Sequence, residues 1–288
     1  MAIVAVGQIC STASMSHNLA QCQILVRKAV AAGAKALFLP EACDYIASSP
    51  AETVSLARST EDSPFVKGLQ HEASQAKLPI NVGIHEPATG GKRVKNTLIW
   101  IDEGGMVTQR YQKLHLFDVE IKGGPMLRES KSVEPGSSIL PPFPTNLGSM
   151  GLMICFDLRF PALSARIRDL GAQIITYPSA FTVPTGKVHW ETLLRARAIE
   201  TQSYVIAAAQ VGAHNEKRVS YGHSMIVDPW GKVIAEAGGV EEWKGEPEIS
   251  VGEVDLGGLE KVRREMPLHP RRDVVDVVET NRESERDA

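Results

Sequence analysis

Three side chains stand where an apolar run stops. Cys155 closes Met150-Gly151-Leu152-Met153-Ile154 and precedes Phe156-Asp157-Leu158-Arg159-Phe160-Pro161, Glu41 follows Leu37-Phe38-Leu39-Pro40, and Lys113 follows Tyr111-Gln112 at the end of an expected hairpin strand. Each has an ordinary explanation. A lone Cys is commonly a buried structural thiol, a Glu at a strand exit is commonly solvated, and a Lys there is commonly surface charge on an apolar stem. Position supplies the alternative, because ligands of α/β proteins bind beyond the carboxyl ends of strands. A thiol at such an end, just before a helix start, is placed to be a thiolate nucleophile. A carboxylate desolvated at the exit of an apolar strand is placed to be a general base.

The surrounding elements read as layered α/β. Residues 2–9 form a β-branched strand, and a helix from about His17 to Ala32 follows, with Leu19, Cys22, Leu25, Val26, Ala29 and Val30 on one face and Gly33 as its stop. Ala36-Leu37-Phe38-Leu39 is an apolar buried strand, and Ser63-Pro64 opens a helix carrying Phe65, Leu69, Ala73 and Ala76. Strands are expected at 79–85, 96–102 and 106–112, the last two joined by the Glu103-Gly104-Gly105 turn. The second half repeats the order: strand 150–155, helix 161–170, strand 173–177, helix from about 188 to 202, then strands 204–210, 222–228 and 232–236. Helices outside mixed strands imply sheets with both parallel and antiparallel pairs. No Pro/Gly/Ser-rich linker divides the halves, so residues 1–272 read as one domain and 273–288 as a charged C-terminal arm.

Leu39-Pro40-Glu41, Tyr111-Gln112-Lys113-Leu114-His115-Leu116 and Cys155-Phe156-Asp157-Leu158-Arg159-Phe160-Pro161 resemble the three signature segments of the nitrilase superfamily of carbon–nitrogen hydrolases. They occur in the family's order, with 72 residues from Glu41 to Lys113 and 42 from Lys113 to Cys155. The resemblance runs from Ile3 to about Arg272. Thr176-Tyr177-Pro178-Ser179-Ala180-Phe181, His189-Trp190-Glu191, Arg195-Ala196-Arg197-Ala198-Ile199-Glu200 and the stretch from Glu216 to Ser224 resemble the branch containing deaminated glutathione amidase more than the omega-amidase branch. Ala162 departs from the family, which commonly has Glu there.

This resemblance implies a four-layer α-β-β-α sandwich with Glu41, Lys113 and Cys155 converging at one end. Cys155 would attack an amide carbonyl and Glu41 would take its proton. Lys113 and the Phe156 N–H would stabilise the tetrahedral oxyanion, and ammonia would leave with the proton from Glu41. Water activated by Glu41 would then resolve the thioester. Ordinary pKa values of about 4.3 and about 8.5 make the first transfer uphill by roughly 6 kcal/mol. Burial is expected to raise Glu41, and Lys113 with the helix start to lower Cys155, closing that gap. Glu129 matches a further family glutamate and would orient Lys113. A substrate with carboxylates at both ends needs a cation or N–H donors at each end of the cleft. Arg159 is the first candidate, with Arg128, Lys131, Lys217 and Arg218 behind it and Tyr45, Phe156 and Phe181 as walls. No cofactor or metal is expected, and the family implies at least a homodimer, paired through the helix after the nucleophile and C-terminal segments.

Other classes fit less well. With 31 Lys+Arg against 34 Asp+Glu, a formal net charge of -3 and no basic stripe, the chain lacks the footprint of a nucleic-acid binder. It has no uninterrupted apolar stretch of the roughly 18 to 20 residues a membrane span needs, and its four unpaired-looking cysteines suit a reducing cytosol. A metal hydrolase lacks His-Glu-x-x-His or Cys-x-x-Cys spacing. A serine esterase lacks the second glycine around Gly222-His223-Ser224. The remaining alternatives are an omega-amidase acting on 2-oxoglutaramate-like monoamides, true nitrile hydrolysis, and a silent binding protein on the same fold.

Overall fold

The computed structural model describes residues 1–120, 126–269, 271 and 274. The first half builds β1 (Ala2–Ile9), α1 (Met15–Ala31), β2 (Leu37–Phe38), α2 (Pro50–Leu56), α3 (Pro64–Ala76), β3 (Ile80–Pro87), β4 (Val94–Ile101) and β5 (Val107–Gln112). Short strands β6 (Asp118–Glu120), β7 (Met126–Arg128), β8 (Val133–Glu134) and β9 (Phe143–Thr145) lead to β10 (Gly148–Leu152). Then come α4 (Pro161–Asp169), β11 (Ile174–Thr176), α5 (Val183–Thr201), β12 (Tyr204–Ala207), β13 (Ala209–Asn215), β14 (Arg218–Tyr221), β15 (Met225–Val227), β16 (Val233–Glu236), β17 (Glu248–Val254) and α6 (Leu256–Glu265).

Helix starts follow side-chain chemistry. The Ser14 side chain accepts from the His17 N–H, and that of Ser63 from the Val66 N–H, with Pro64 opening α3. Beyond α1, Gly33 adopts φ +71°, a left-handed turn that glycine enters without strain. Each half then folds around a parallel core. In one sheet the order is β14-β13-β1-β2-β3-β4-β5, with β17 antiparallel to β1 and β8 beside β4; in the other it is β16-β15-β12-β11-β10-β9. The parallel runs β13-β1-β2-β3 and β10-β11-β12 sit at the centre of their sheets; beyond them β14 and β4 in the first sheet, and β9 and β15 in the second, pair antiparallel.

Alternation along β1 sorts the layers. Val4 and Val6 join Phe38, Leu98, Trp100, Leu152 and Ile174 in the core between the sheets, while Ala5 and Ile9 pack with Leu25, Phe65 and Leu69 against α1 and α3. Trp190, Leu194 and Ala198 of α5 cover the second sheet. This is the α-β-β-α sandwich. Among the described residues no helix is long and apolar enough to cross a membrane. Apart from 274, the arm expected at 273–288 lies outside the described residues.

Two expectations are corrected. The single strand expected at 204–210 is two strands: β12 pairs with β11 in one sheet and β13 with β1 in the other, and the chain changes sheets at Ala208. Both sides are buried in either sheet, so no change in hydropathy marks the switch. The helix expected from about 188 begins at Val183, because Pro184 in its first turn is compatible with helix initiation. Helix α2, strands β6–β9, the hairpin β13–β14, strand β17 and helix α6 lie outside the elements expected from the sequence.

Candidate active site

Glu41 lies just beyond β2 and is held from two sides. Gly83 of β3 donates its N–H to the Pro40 carbonyl (3.0 Å) and accepts from the Cys43 N–H (2.8 Å), clamping the loop against the sheet. A Cβ on Gly83 would come within 2.6 Å of the Glu41 Cα, so only glycine permits this approach. From β13, the buried Gln210 side chain donates to the Glu41 carbonyl (2.9 Å) and to the Ser11 Oγ (2.7 Å). Ala42, next in the chain, takes φ +55°, an uncommon conformation for a residue with a side chain.

Lys113 follows β5 directly. Its Nζ donates to Glu41 Oε1 at 2.8 Å and to both Glu129 oxygens at 2.9 and 3.1 Å, and all three residues are largely removed from solvent. Asn96 of β4 closes the ring, donating to Glu41 Oε1 (2.7 Å) and Glu129 Oε1 (3.1 Å). Glu129 also accepts from the Phe117 N–H (2.7 Å). A buried ammonium between two carboxylates, each with further donors, is the arrangement that offsets desolvation.

Cys155 begins a single 3₁₀ turn, Cys155–Arg159, after β10. Its φ is +45° and its N–H donates to the Pro178 carbonyl at 3.0 Å. Asp157, fully buried, accepts from Tyr111 Oη (2.7 Å), from the His115 N–H (3.0 Å) and Nδ1 (2.8 Å), and from the Ile154 N–H (3.1 Å). It thereby ties the lysine segment of one sheet to the Cys155 segment of the other. The Phe156 N–H lies in the first turn, where no intrahelical carbonyl is in reach. Glu41 Oε2 accepts from the Ala180 N–H (2.9 Å).

The charge states differ from those expected. Burial pushes the Glu41 carboxyl up, yet the Lys113 charge and hydrogen bond, with those of Asn96 and Cys155, hold it below the ordinary range. Burial and the Glu41 charge push the Cys155 thiol well up, against a smaller pull from Lys113. Burial alone would lower Lys113, but Glu129 and Glu41 keep it well above normal. The cause is placement, since the ammonium sits on the carboxylates. The resting site is thus carboxylate, ammonium and thiol, with the proton on sulfur.

These groups open into a cavity of about 480 Å3 lined by Glu41, Lys113, Glu129 and Cys155, and by Phe156, Arg159 and Phe181. Arg159 Nη2 donates to His189 Nδ1 at 3.0 Å, and its guanidinium lies 5.8 Å from the ring centroids of both Phe156 and Phe181. Arg128, Lys217 and Arg218 also reach the lining. Tyr45 does not. Its ring is fully buried, stacked on His85 at 4.5 Å, and its hydroxyl donates to the Thr53 carbonyl at 2.8 Å, so His85 stands at the wall in its place. Lys131 is exposed and outside the lining. Asn96, Gln210 and Asp157 are positioning residues that motif reading did not single out, although Asp157 lies within a quoted segment. Phe117, T-shaped against Phe156 at 5.1 Å, is a further wall.

The family model for carbon-nitrogen hydrolase matches residues 3–264. The chain is a carbon–nitrogen hydrolase. It is 46% identical to the probable hydrolase nit2 of Schizosaccharomyces pombe, covering 96% of this chain and 100% of that one. Against the human deaminated glutathione amidase it is 44% identical, over 94% of this chain and 82% of the other. Among solved structures, the C. elegans NitFhit protein superposes with a TM-score of 0.88 at 39% identity, covering 95% of this chain and 66% of that longer one. This carbon–nitrogen hydrolase therefore acts as an amidase on small-molecule amides.

Proposed function

We propose that the substrate is deaminated glutathione, cleaved in metabolite repair through a Cys155 thioester. The observation that carries this reading is the convergence of Glu41, Lys113 and Cys155 in one cavity with Arg159, a half-buried guanidinium with no carboxylate within 4 Å among the described residues. A cation left without a counter-ion beside the nucleophile suits an acyl group bearing its own carboxylate. Relatives named deaminated glutathione amidase, at 43–44% identity, support the same choice.

In the proposed reaction the substrate carbonyl lies over Cys155. Sγ attacks carbon as its proton passes to Glu41. The oxygen charge develops against Lys113 and the Phe156 N–H, donors already in place in a largely buried site. Glu41 returns the proton to the leaving nitrogen, the C–N bond breaks and a thioester remains. Water, deprotonated by Glu41, attacks it; the acid leaves and sulfur regains its proton. Glu129 acts through Lys113 as a positioning residue. For deaminated glutathione the leaving group is a peptide amine, which corrects the expectation of ammonia; ammonia is the product only from primary amides.

The test pairs release of the peptide amine from deaminated glutathione, read by mass spectrometry, with ammonia release from 2-oxoglutaramate. Preference for the former, lost in Cys155→Ala, is expected; preference for the latter would make the enzyme an omega-amidase, which the same Arg159 would also serve. We further infer pairing of two copies through α4 and α5, where Leu170, Val188 and Ile199 are exposed. Sedimentation as a monomer at micromolar concentration would overturn that.

A further inference from the structure

The turn of hairpin β13–β14 lines the cavity, and it has features that surface turns do not need. Asn215, Lys217, Arg218 and Val219 all line the cavity that holds Cys155. Neither Lys217 nor Arg218 has a carboxylate within 4 Å among the described residues. Glu216, between Asn215 and Lys217, is exposed and outside the lining. In a chain with more acidic than basic residues, two adjacent cations left unpaired at a cleft are positioned for something absent from the chain itself.

The turn is also pre-organised. Asn215 Oδ1 accepts from the Lys217 N–H (3.0 Å) and the Arg218 N–H (3.1 Å), while its Nδ2 donates to the Ala47 carbonyl (3.4 Å) on the loop that follows Glu41. The base of the hairpin is fixed by His214, which bridges the Ser11 carbonyl and the Ser220 Oγ at 2.8 Å each. On its other side the Tyr221 N–H donates to the Phe181 carbonyl (2.9 Å). Rigid presentation lowers the ordering cost of capturing a ligand. Val219, 40% exposed, adds an apolar contact beside the two charges.

Lys113 and Arg128, also in the lining, have carboxylate partners, so among the described residues the cations without one stand at two places in the cavity: Arg159, four residues after Cys155, and the hairpin pair. We propose that Lys217 and Arg218 read a carboxylate on the leaving-group side of the substrate, so that the site selects peptide-like amides with a free terminal carboxylate over smaller or capped amides. This rests on the amidase reading above and adds to it a second anion subsite, opposite in role to Arg159: one holds the acyl half, the other the amine half. Because the hairpin cations are solvent-exposed, their contribution weakens with salt.

The test compares kcat/KM for deaminated glutathione with that for its C-terminal carboxamide, which removes only the terminal charge. The wild-type ratio is expected to favour the free acid by about ten- to a hundred-fold, the effect of one or two charge-assisted hydrogen bonds, expressed mainly in KM. Raising the salt concentration should shrink it. Lys217→Gln/Arg218→Gln should bring the ratio close to one, and Lys217→Glu/Arg218→Glu should invert it in favour of the carboxamide. Each protein supplies its own internal comparison, so a general loss of fold does not mimic the result. A wild-type ratio near one with turnover intact, or a ratio that the variants leave unchanged, overturns the hairpin assignment alone. Turnover of neither substrate by the wild type overturns the amidase reading, and the hairpin assignment with it.

Discussion

Protonating Glu41 should silence the site, and the pH at which this happens follows from what surrounds its carboxylate. Lys113, Asn96 and Cys155 hold the folded pKa below the ordinary 4.5. The working carboxylate is therefore present above the ordinary value and is lost only as pH falls through the lowered one. Since Lys113 and Cys155 are both pushed up, neither sets a limb near neutrality. A profile of kcat/KM against pH should be flat from about pH 5 to about pH 9; an acid limb near pH 6 would contradict the charge states described. The sequence made Glu41, Lys113 and Cys155, the proposed reacting residues, visible because each sits in a contiguous segment at a strand exit. It hid Asn96 and Gln210 because their roles exist only through partners on other strands. Tyr45 points away from the cavity, since proximity in sequence to Glu41 does not fix which way a ring points.

At the scale of elements, the site depends on β3 coming close to the loop after β2. Gly83→Ala places a methyl group 2.6 Å from the Glu41 Cα and 2.9 Å from the Pro40 oxygen, both backbone atoms that cannot rotate away. Relief requires the loop to move, taking the carboxylate with it. The expected result is a loss of at least about a hundred-fold in kcat, since displacement of about 1 Å is enough for that, with destabilisation of about 1–3 kcal/mol from overpacking. Near-normal kcat would show that the approach is not needed. The central strands and helices were legible in the sequence because apolar periodicity and Ser caps are local signals. By contrast β17, Glu248–Val254, carries glutamates at 248 and 253, and its register against β1 is set by a partner about 245 residues earlier in the chain.

For the whole molecule, acid is the condition that exposes a buried weak point. His214 joins the loop after β1 to the β13–β14 hairpin as a neutral ring, and burial, with the Arg218 charge, lowers its pKa from 6.5 to about 3. The unfolded chain takes up this proton near pH 6.5 and the folded one does not. The contribution to stability is therefore complete above pH 6.5 and lost progressively as pH falls towards 3, by about 2 kcal/mol between pH 7.5 and 5. Denaturant unfolding of the wild type and His214→Asn at those two pH values should show the variant losing about 2 kcal/mol less on acidification. Equal losses would mean that the imidazole is not kept neutral.

Ala208 gives this architecture a mechanical meaning. Glu41 and Lys113 leave one sheet, Cys155 and Ala180 leave the other, and a single residue carries the chain from β12 across to β13. The two sheets are thus stitched close to where these groups meet, the Ala208 carbonyl accepting from the Ser179 N–H beside Ala180. Sliding one sheet over the other would pull on that stitch, so loss of activity and loss of tertiary structure are expected to coincide on denaturation.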